Sequence, residues 1–152
     1  MADKYQSKHP AGPVELEWIE NALGVAGFDP ALSALVRAMP RGIFEFRRGA
    51  EIITEGGQDR EVFMLYRGRA AVYRSGPDNK ERLLGTLEPG DIFGEIAFLI
   101  DVPRSASVRA ETDCSAVVFE AESFGLLARD YPALLARLRK TASRRILELF
   151  RL

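Results

Sequence analysis

The chain has 152 residues, of which 47% are hydrophobic and 28% are charged, and its formal net charge is -1. This length and composition predict one globular domain with a sizeable core, and the charge gives no global attraction to nucleic acid or to an anionic membrane. The single cysteine, Cys114, excludes an internal disulfide and is typical of a reducing compartment, so we expect a cytoplasmic location. No apolar run approaches the roughly 18 residues that a membrane-spanning segment needs.

The first 13 residues, MADKYQSKHPAGP, are polar and are predicted to form a disordered lead-in. They contain the one histidine of the chain, His9. Serine and cysteine triads and most histidine metal centres need a histidine within the fold. The sequence therefore disfavours those chemistries and predicts neither catalytic nor metal-binding residues, although a site built from carboxylates alone stays open.

Residues 14–40 are predicted to form two short helices. Apolar residues recur at helical spacing in VELEWIENAL, residues 14–23, and again over residues 32–39. Gly24 is suited to end the first helix, and Pro40 ends the second.

Residues 41–121 alternate short runs rich in Ile, Val, Phe and Tyr with turn residues. Turn signals about every ten residues are typical of a sandwich, jelly roll or small barrel. We therefore predict seven or eight short strands in a mainly β fold of the α+β class, for which the resemblance described below implies an eight-stranded β-roll or jelly roll. The segment Gly76-Pro77-Asp78-Asn79 is the strongest hairpin signal.

A helical period returns after Glu120 and predicts two C-terminal helices over residues 122–152, the first ending near Pro132. The apolar stripe of the second helix runs from Leu134 to Phe150, and its charged residues are almost all cations. Three interpretations of this basic helix are open: a solvated face, a lid over an anionic ligand, or a nucleic-acid contact.

The stretch FGEIAFLIDVPRSASV, residues 93–108, places Glu95 and Arg104 in an apolar segment, where charges need partners. Gly94 permits unusual backbone dihedrals and close approach, and a short helix beginning at Glu95 would present free N–H groups to an anion. Arg104 can donate two parallel hydrogen bonds to a phosphate, and Glu95 can accept from a hydroxyl beside it. Either the two charges pair with each other, or they bind a ligand that carries both groups, such as a nucleotide.

This stretch closely resembles the phosphate-binding cassette of the cyclic nucleotide-binding domain, which occurs in protein kinase A regulatory subunits, nucleotide-gated channels and catabolite activator proteins. The order of helices, β-roll and helices also agrees with that family. The resemblance implies one domain over residues 14–152, divided into N-terminal helices (14–40), β-roll (41–121) and C-terminal lid helices (122–152). Phe98 departs from the family pattern, which usually has a smaller aliphatic residue there.

The resemblance also implies roles for individual residues. Glu95 is expected to accept a hydrogen bond from the ribose 2′-hydroxyl, and Arg104 is expected to hold the cyclic phosphate. The other implied ligand-binding residues are Phe93, Gly94, Ile96, Ala97 and Ala106 in the cassette, Ser105 through its hydroxyl, Leu84 as a wall for the base, and Arg145 on the lid helix.

The implied function is reversible binding of a 3′,5′-cyclic purine nucleotide, cyclic AMP in preference to cyclic GMP, by a non-catalytic sensor without a cofactor. Binding is expected to move the C-terminal helices. A homodimer or an effector protein is expected to bind through the final helix, and neither a DNA-binding module nor a membrane segment is predicted. Two alternatives stay open: a ligand-free roll that acts as an interaction or dimerisation scaffold, and a cupin-like metal enzyme, disfavoured because it needs histidines in the core.

Overall fold

The computed structural model describes residues 5–24 and 30–133, together with residues 136, 140 and 144. The described residues form four helices: α1 (Pro13–Leu23), α2 (Pro30–Ala38), α3 (Glu95–Ile100) and α4 (Ala121–Asp130). They also form nine strands: β1 (Ser7–His9), β2 (Pro40–Phe46), β3 (Glu51–Ile53), β4 (Val62–Arg67), β5 (Ala70–Ser75), β6 (Glu81–Leu87), β7 (Ile92–Phe93), β8 (Ser107–Ala110) and β9 (Cys114–Phe119).

The strands form two antiparallel sheets. One has five strands in the order β1-β2-β9-β4-β7, and the other has four in the order β3-β8-β5-β6. Eight of the strands, β2 to β9, lie between Pro40 and Phe119. The mainly β fold of the α+β class, with an eight-stranded roll between helices, is therefore confirmed.

The central strands β9 and β4 of the five-stranded sheet are buried on both faces, which explains the continuous apolar run VFML in β4. Val62 and Met64 pack with the helices, whereas Phe63 and Leu65 pack between the two sheets. Successive residues of a strand point to opposite faces. The sheet thus separates one core under the helices from a second core inside the roll.

The N-terminal segment corrects the prediction of a disordered lead-in, because part of it is a strand. β1 pairs antiparallel with β2, with Lys8 opposite Phe44, and the Tyr5 ring lies edge-on to that of Phe44 at 4.6 Å. The sequence of β1 is polar because its side chains stay exposed. Its pairing depends on the open edge of β2, which no local pattern reveals.

The N-terminal helices form close to the predicted positions. Gly24 ends α1 in the left-handed conformation (φ 73°), and Ile19 and Leu23 are buried. Val14 is an exception to the predicted apolar face, since it is 72% exposed. Pro40 both follows α2 and begins β2; its fixed φ is compatible with the start of a strand.

The hairpin between β5 and β6 turns at the predicted Gly76–Asn79 segment. The Gly76 amide donates to the Lys80 carbonyl at 2.9 Å, and the Asn79 amide donates to the Gly76 carbonyl at 3.0 Å. Asn79 has φ 61°, a conformation that asparagine tolerates better than most residues.

Helix α4 packs on the five-stranded sheet through Phe124 and Leu127, both fully buried. Beyond Ala133, only Ala136, Lys140 and Arg144 are described, and each is helical and exposed. The rest of the predicted final helix, its apolar stripe and Arg145 lie outside the described residues.

Candidate functional site

A cavity of about 280 Å³ opens between the four-stranded sheet and the segment that carries α3. Its floor and walls come from the inner faces of the strands, from the residues of the cassette and from one residue of the C-terminal segment. The lining residues are Ile53, Val72, Leu84, Gly85, Thr86, Leu87, Asp91, Phe93, Gly94, Glu95, Ile96, Ala97, Arg104, Ser105, Ala106, Val108 and Arg144.

Gly94 forms the junction between β7 and α3, and this position requires glycine for two reasons. Its φ is 83°, in the left-handed region, which side chains rarely adopt. A Cβ there would also lie 2.9 Å from both Arg104 Nη1 and the Glu61 carbonyl oxygen. Glycine therefore lets the guanidinium pass directly beneath the start of α3.

Arg104 is the central charge of the site and is 4% exposed. Its Nη1 donates to the Gly94 carbonyl at 2.9 Å, and its Nη2 donates to Asp59 Oδ2 at 2.7 Å and to the Glu61 carbonyl at 2.8 Å. Its Nε is buried and has no hydrogen-bond partner in the described part of the chain. A buried charged donor left without a partner is costly, so a ligand anion that accepted from Nε–H would remove this cost.

The carboxylate that pairs with Arg104 is therefore Asp59, which the sequence interpretation missed. Asp59 lies in the loop between β3 and β4, 45 residues before Arg104, and nothing in its local sequence marks it. Glu95 is fully buried in the cavity wall at the start of α3. Glu95 and Arg104 thus both line the cavity, whereas Asp59 holds the Arg104 guanidinium without lining the cavity itself.

The β3–β4 loop holds the cassette at several points. The Gly56 amide donates to the Arg104 carbonyl, and the Arg104 amide donates to the Gly57 carbonyl, both at 2.8 Å. Arg60 Nη1 donates to the Ala97 carbonyl at 2.8 Å and forms an ion pair with Asp101. The loop therefore fixes both the arginine and the helix that precedes it.

The structure separates the two serines that follow Arg104. Ser105 lines the cavity. Ser107 Oγ instead accepts a hydrogen bond from the Glu55 amide at 3.0 Å. Strand alternation alone could not distinguish them, and Ser107 is engaged in joining β8 to the β3–β4 loop.

The open end of the cavity is formed by β5 and β6. Val72, Leu84, Gly85 and Thr86 line it, and a register shift in the pairing of these strands places Val72 opposite Gly85 but Tyr73 opposite Leu83. Of these four residues only Thr86 has a polar side chain, whereas Glu95 and Arg104 of the cassette are charged.

Nine of the ten predicted ligand-binding residues lie together in the cavity wall: Leu84, Phe93, Gly94, Glu95, Ile96, Ala97, Arg104, Ser105 and Ala106. Their individual roles stay predictions. The tenth, Arg145, lies outside the described residues, and its neighbour Arg144 lines the cavity.

Within residues 5–24 and 30–133 and the three further described positions, there is no group of three or more His, Cys, Asp and Glu residues that could hold a metal ion. The same residues contain no helix with the length and apolar character to cross a bilayer.

His9 lies at the surface, where hydrogen bonds to the Pro10 carbonyl and to Glu45 raise its pKa. Burial raises the pKa of the Cys114 thiol inside the roll.

The roll, the cassette and the charged cavity define a class of regulatory ligand-binding domain. The family model for the cyclic nucleotide-binding domain matches residues 43–131, more than half of the chain. The chain therefore belongs to the cyclic nucleotide-binding domain family.

The chain is also similar to one curated regulator and to two solved structures. It is 27% identical over 121 residues to a CRP-like cAMP-activated global transcriptional regulator of Mycobacterium tuberculosis, covering 79% of this chain and 53% of the regulator. It is 26% identical to the regulatory domain of Toxoplasma gondii PKA in a co-crystal with cAMP, with a TM-score of 0.70 and coverage of 86% of this chain and 47% of that one. A cyclic nucleotide-binding domain from Methylobacillus flagellatus shares the fold, with a TM-score of 0.75 at 20% identity over 95% of this chain and 85% of that one. The chain thus spans about half the length of the curated regulator that it matches.

Proposed function

We propose that this domain is a non-catalytic sensor that binds a 3′,5′-cyclic purine nucleotide, with cyclic AMP preferred over cyclic GMP. The observation that carries the proposal is the buried guanidinium of Arg104, which lines the cavity with Nε–H unpartnered in the described part of the chain. Asp59 and two carbonyls hold the same group on its other nitrogens. A fixed, desolvated cation with a donor to spare is suited to a phosphodiester anion.

The surroundings of Arg104 support a nucleotide rather than a bare phosphate. Glu95 is buried in the same wall and can accept from a sugar hydroxyl, and Ser105 adds a hydroxyl donor. The cavity then continues into the apolar end at Leu84 and Val72, where a purine gains by leaving water. The relatives that act with cAMP support the adenine preference, and one free cysteine suits a cytoplasmic sensor.

We further propose that binding shifts the C-terminal helices. The Phe98 ring of α3 lies edge-on to that of Phe124 in α4, with centroids 5.9 Å apart, and Arg144 lines the cavity directly. A ligand that touches both α3 and Arg144 would make better contacts in one arrangement of the C-terminal helices than in another. Such a difference in contacts is what shifts a conformational equilibrium.

Isothermal titration calorimetry with cyclic AMP, cyclic GMP, 5′-AMP and adenosine tests the proposal. We expect cyclic AMP to bind most tightly, because adenosine lacks the anion and 5′-AMP lacks the closed ring. Equal affinities for cyclic AMP and 5′-AMP would contradict a cyclic-nucleotide site. Cyclic AMP at about 100 times its Kd should also stabilise the fold by about 2.7 kcal/mol, whereas a ligand-free scaffold would not respond.

The helix shift is tested separately by hydrogen exchange of the α4 amides with and without cyclic AMP. The exchange protection of residues 121–130 should change on binding. The change should be smaller in Phe98→Leu, because leucine lacks the ring that contacts Phe124. Unchanged exchange throughout α4 in the wild-type chain would contradict the movement while leaving the binding intact.

A further inference from the structure

A row of three residues crosses the four-stranded sheet on the cavity face and ends in a glycine. Val108 stands opposite Val72, and Val72 stands opposite Gly85. Directly opposed residues of neighbouring strands project to the same face, and all three residues line the cavity. The first two positions carry valine side chains and the third carries none.

Apart from its two chain neighbours, no atom of the described residues lies within 4 Å of a Cβ built on Gly85. Its φ also lies outside the positive range, unlike that of Gly94, so the backbone does not require glycine there. We call the space bounded by Val72, Leu84 and Gly85 the Gly85 notch.

The irregular pairing of β6 opens this notch. Tyr73 stands opposite Leu83 and Val72 opposite Gly85, so Leu84 is an extra residue between two paired positions. Such a bulge bends a strand and re-aims its side chains. Here Leu83 is 57% exposed, whereas Leu84 lines the cavity and forms one wall of the notch.

We propose that the Gly85 notch accepts an apolar substituent on the base of the bound cyclic purine nucleotide, which makes Gly85 a residue that determines ligand specificity. The inference rests on the proposed function: with phosphate at Arg104 and sugar at Glu95, the base extends toward β5 and β6. Gly85 lies two strand spacings, about 10 Å, across the sheet from Val108. The walls at Val72 and Leu84 are apolar, so an aromatic substituent gains by burial there.

The test compares three ligands by calorimetry: cyclic AMP, cyclic AMP with a benzyl group on the exocyclic amine, and cyclic AMP with a benzylthio group on the imidazole carbon of the purine. Each is titrated into the wild-type domain, Gly85→Val and the control Leu83→Val. Valine favours strands, so Gly85→Val should fold, and it continues the row of valines into the notch. Leu83→Val changes the same strand at an exposed position opposite Tyr73.

We expect Gly85→Val to weaken at least one benzyl analogue about tenfold more than it weakens cyclic AMP, since a lost apolar subsite changes affinity by that factor or more. Leu83→Val should leave the ratio of affinities unchanged. The inference is overturned if the ratio shifts less than about tenfold for both analogues, or if the wild-type domain binds cyclic AMP and neither analogue. Failure of the wild-type domain to bind cyclic AMP itself would instead refute the proposed function. If Gly85→Val does not fold, the same titrations are made with Gly85→Ala. A loss of affinity for an analogue that exceeds the loss for cyclic AMP would support the notch, and the absence of such a loss would overturn it.

Discussion

Replacing Arg104 with alanine should impair both the binding site and the fold, because the guanidinium that supports the cassette is also the group we propose to bind the ligand phosphate. In the ligand-bound state the change removes the charged partner of a buried phosphate. That loss is on the order of 3 kcal/mol, which corresponds to a decrease in affinity of roughly a hundredfold or more.

The effect on the empty domain is worked from the three hydrogen bonds of Arg104. The two to the Gly94 and Glu61 carbonyls are buried, but the cavity admits water to these groups once the side chain is gone. The ion pair with Asp59 contributes little, because the Asp59 side chain is 32% exposed and such pairs are screened by solvent. We therefore expect the free energy of unfolding to fall by about 2 kcal/mol.

Calorimetric titration with cyclic AMP and urea unfolding without ligand measure the two effects separately. Arg82→Ala is the matched control, since Arg82 also pairs with an aspartate, Asp78, but does not line the cavity. The control should change affinity little. An Arg104→Ala domain that stays folded and binds cyclic AMP within about threefold of wild type would refute the assignment of Arg104 to the phosphate.

Three further predictions concern other parts of the molecule. Glu95→Gln should weaken the binding of cyclic AMP but not of its 2′-deoxy analogue in calorimetric titrations, because only cyclic AMP has the hydroxyl from which Glu95 is proposed to accept a hydrogen bond. Equal losses of affinity for both ligands would exclude that contact. A glycine-to-alanine change inside a helix usually raises the free energy of unfolding by about 1 kcal/mol, but Gly125→Ala should not, because its Cβ would lie 3.2 Å from the Phe98 ring. Urea unfolding should show the increase when Gly125→Ala is combined with Phe98→Leu. A full increase with Phe98 present would contradict the crowding. Hydrogen bonds to the Pro10 carbonyl and to Glu45 raise the pKa of His9, so these contacts add stability below pH 6.5, and this contribution is lost as the pH rises through the higher folded-state pKa. The stability difference between wild type and His9→Gln, measured by urea unfolding between pH 5.5 and 8.5, should shrink with rising pH, and a difference that grows would contradict the assignment.

The cassette was predictable from sequence because its determinants are contiguous. Gly94, Glu95 and Arg104 lie within 11 residues, and a left-handed glycine, a buried acid and an arginine after a proline each have few structural alternatives there. The alternating apolar pattern likewise predicted the roll. In both cases the local sequence contains most of the physical information.

The contacts that the sequence did not predict all depend on pairing between distant segments. Asp59 reaches Arg104 only because the β3–β4 loop folds against the cassette, and its sequence is that of an ordinary polar loop. The polar strand β1 forms because β2 offers an unpaired edge. The notch at Gly85 follows from a bulge, and a glycine in a strand indicates a bulge, a bend or a close approach without distinguishing them.

The backbone bonds from Gly56 and Gly57 to Arg104 have a consequence for variants of this chain. A Cβ at Gly57 would lie 3.0 Å from the Thr54 carbonyl oxygen and 3.1 Å from Asp59 Oδ1, so a larger residue there crowds the carboxylate that pairs with Arg104. The β3–β4 loop and the cassette are far apart in sequence but are joined by these backbone hydrogen bonds. We therefore expect substitutions in residues 54–61 to weaken the proposed binding of a cyclic nucleotide, as substitutions in residues 93–108 should.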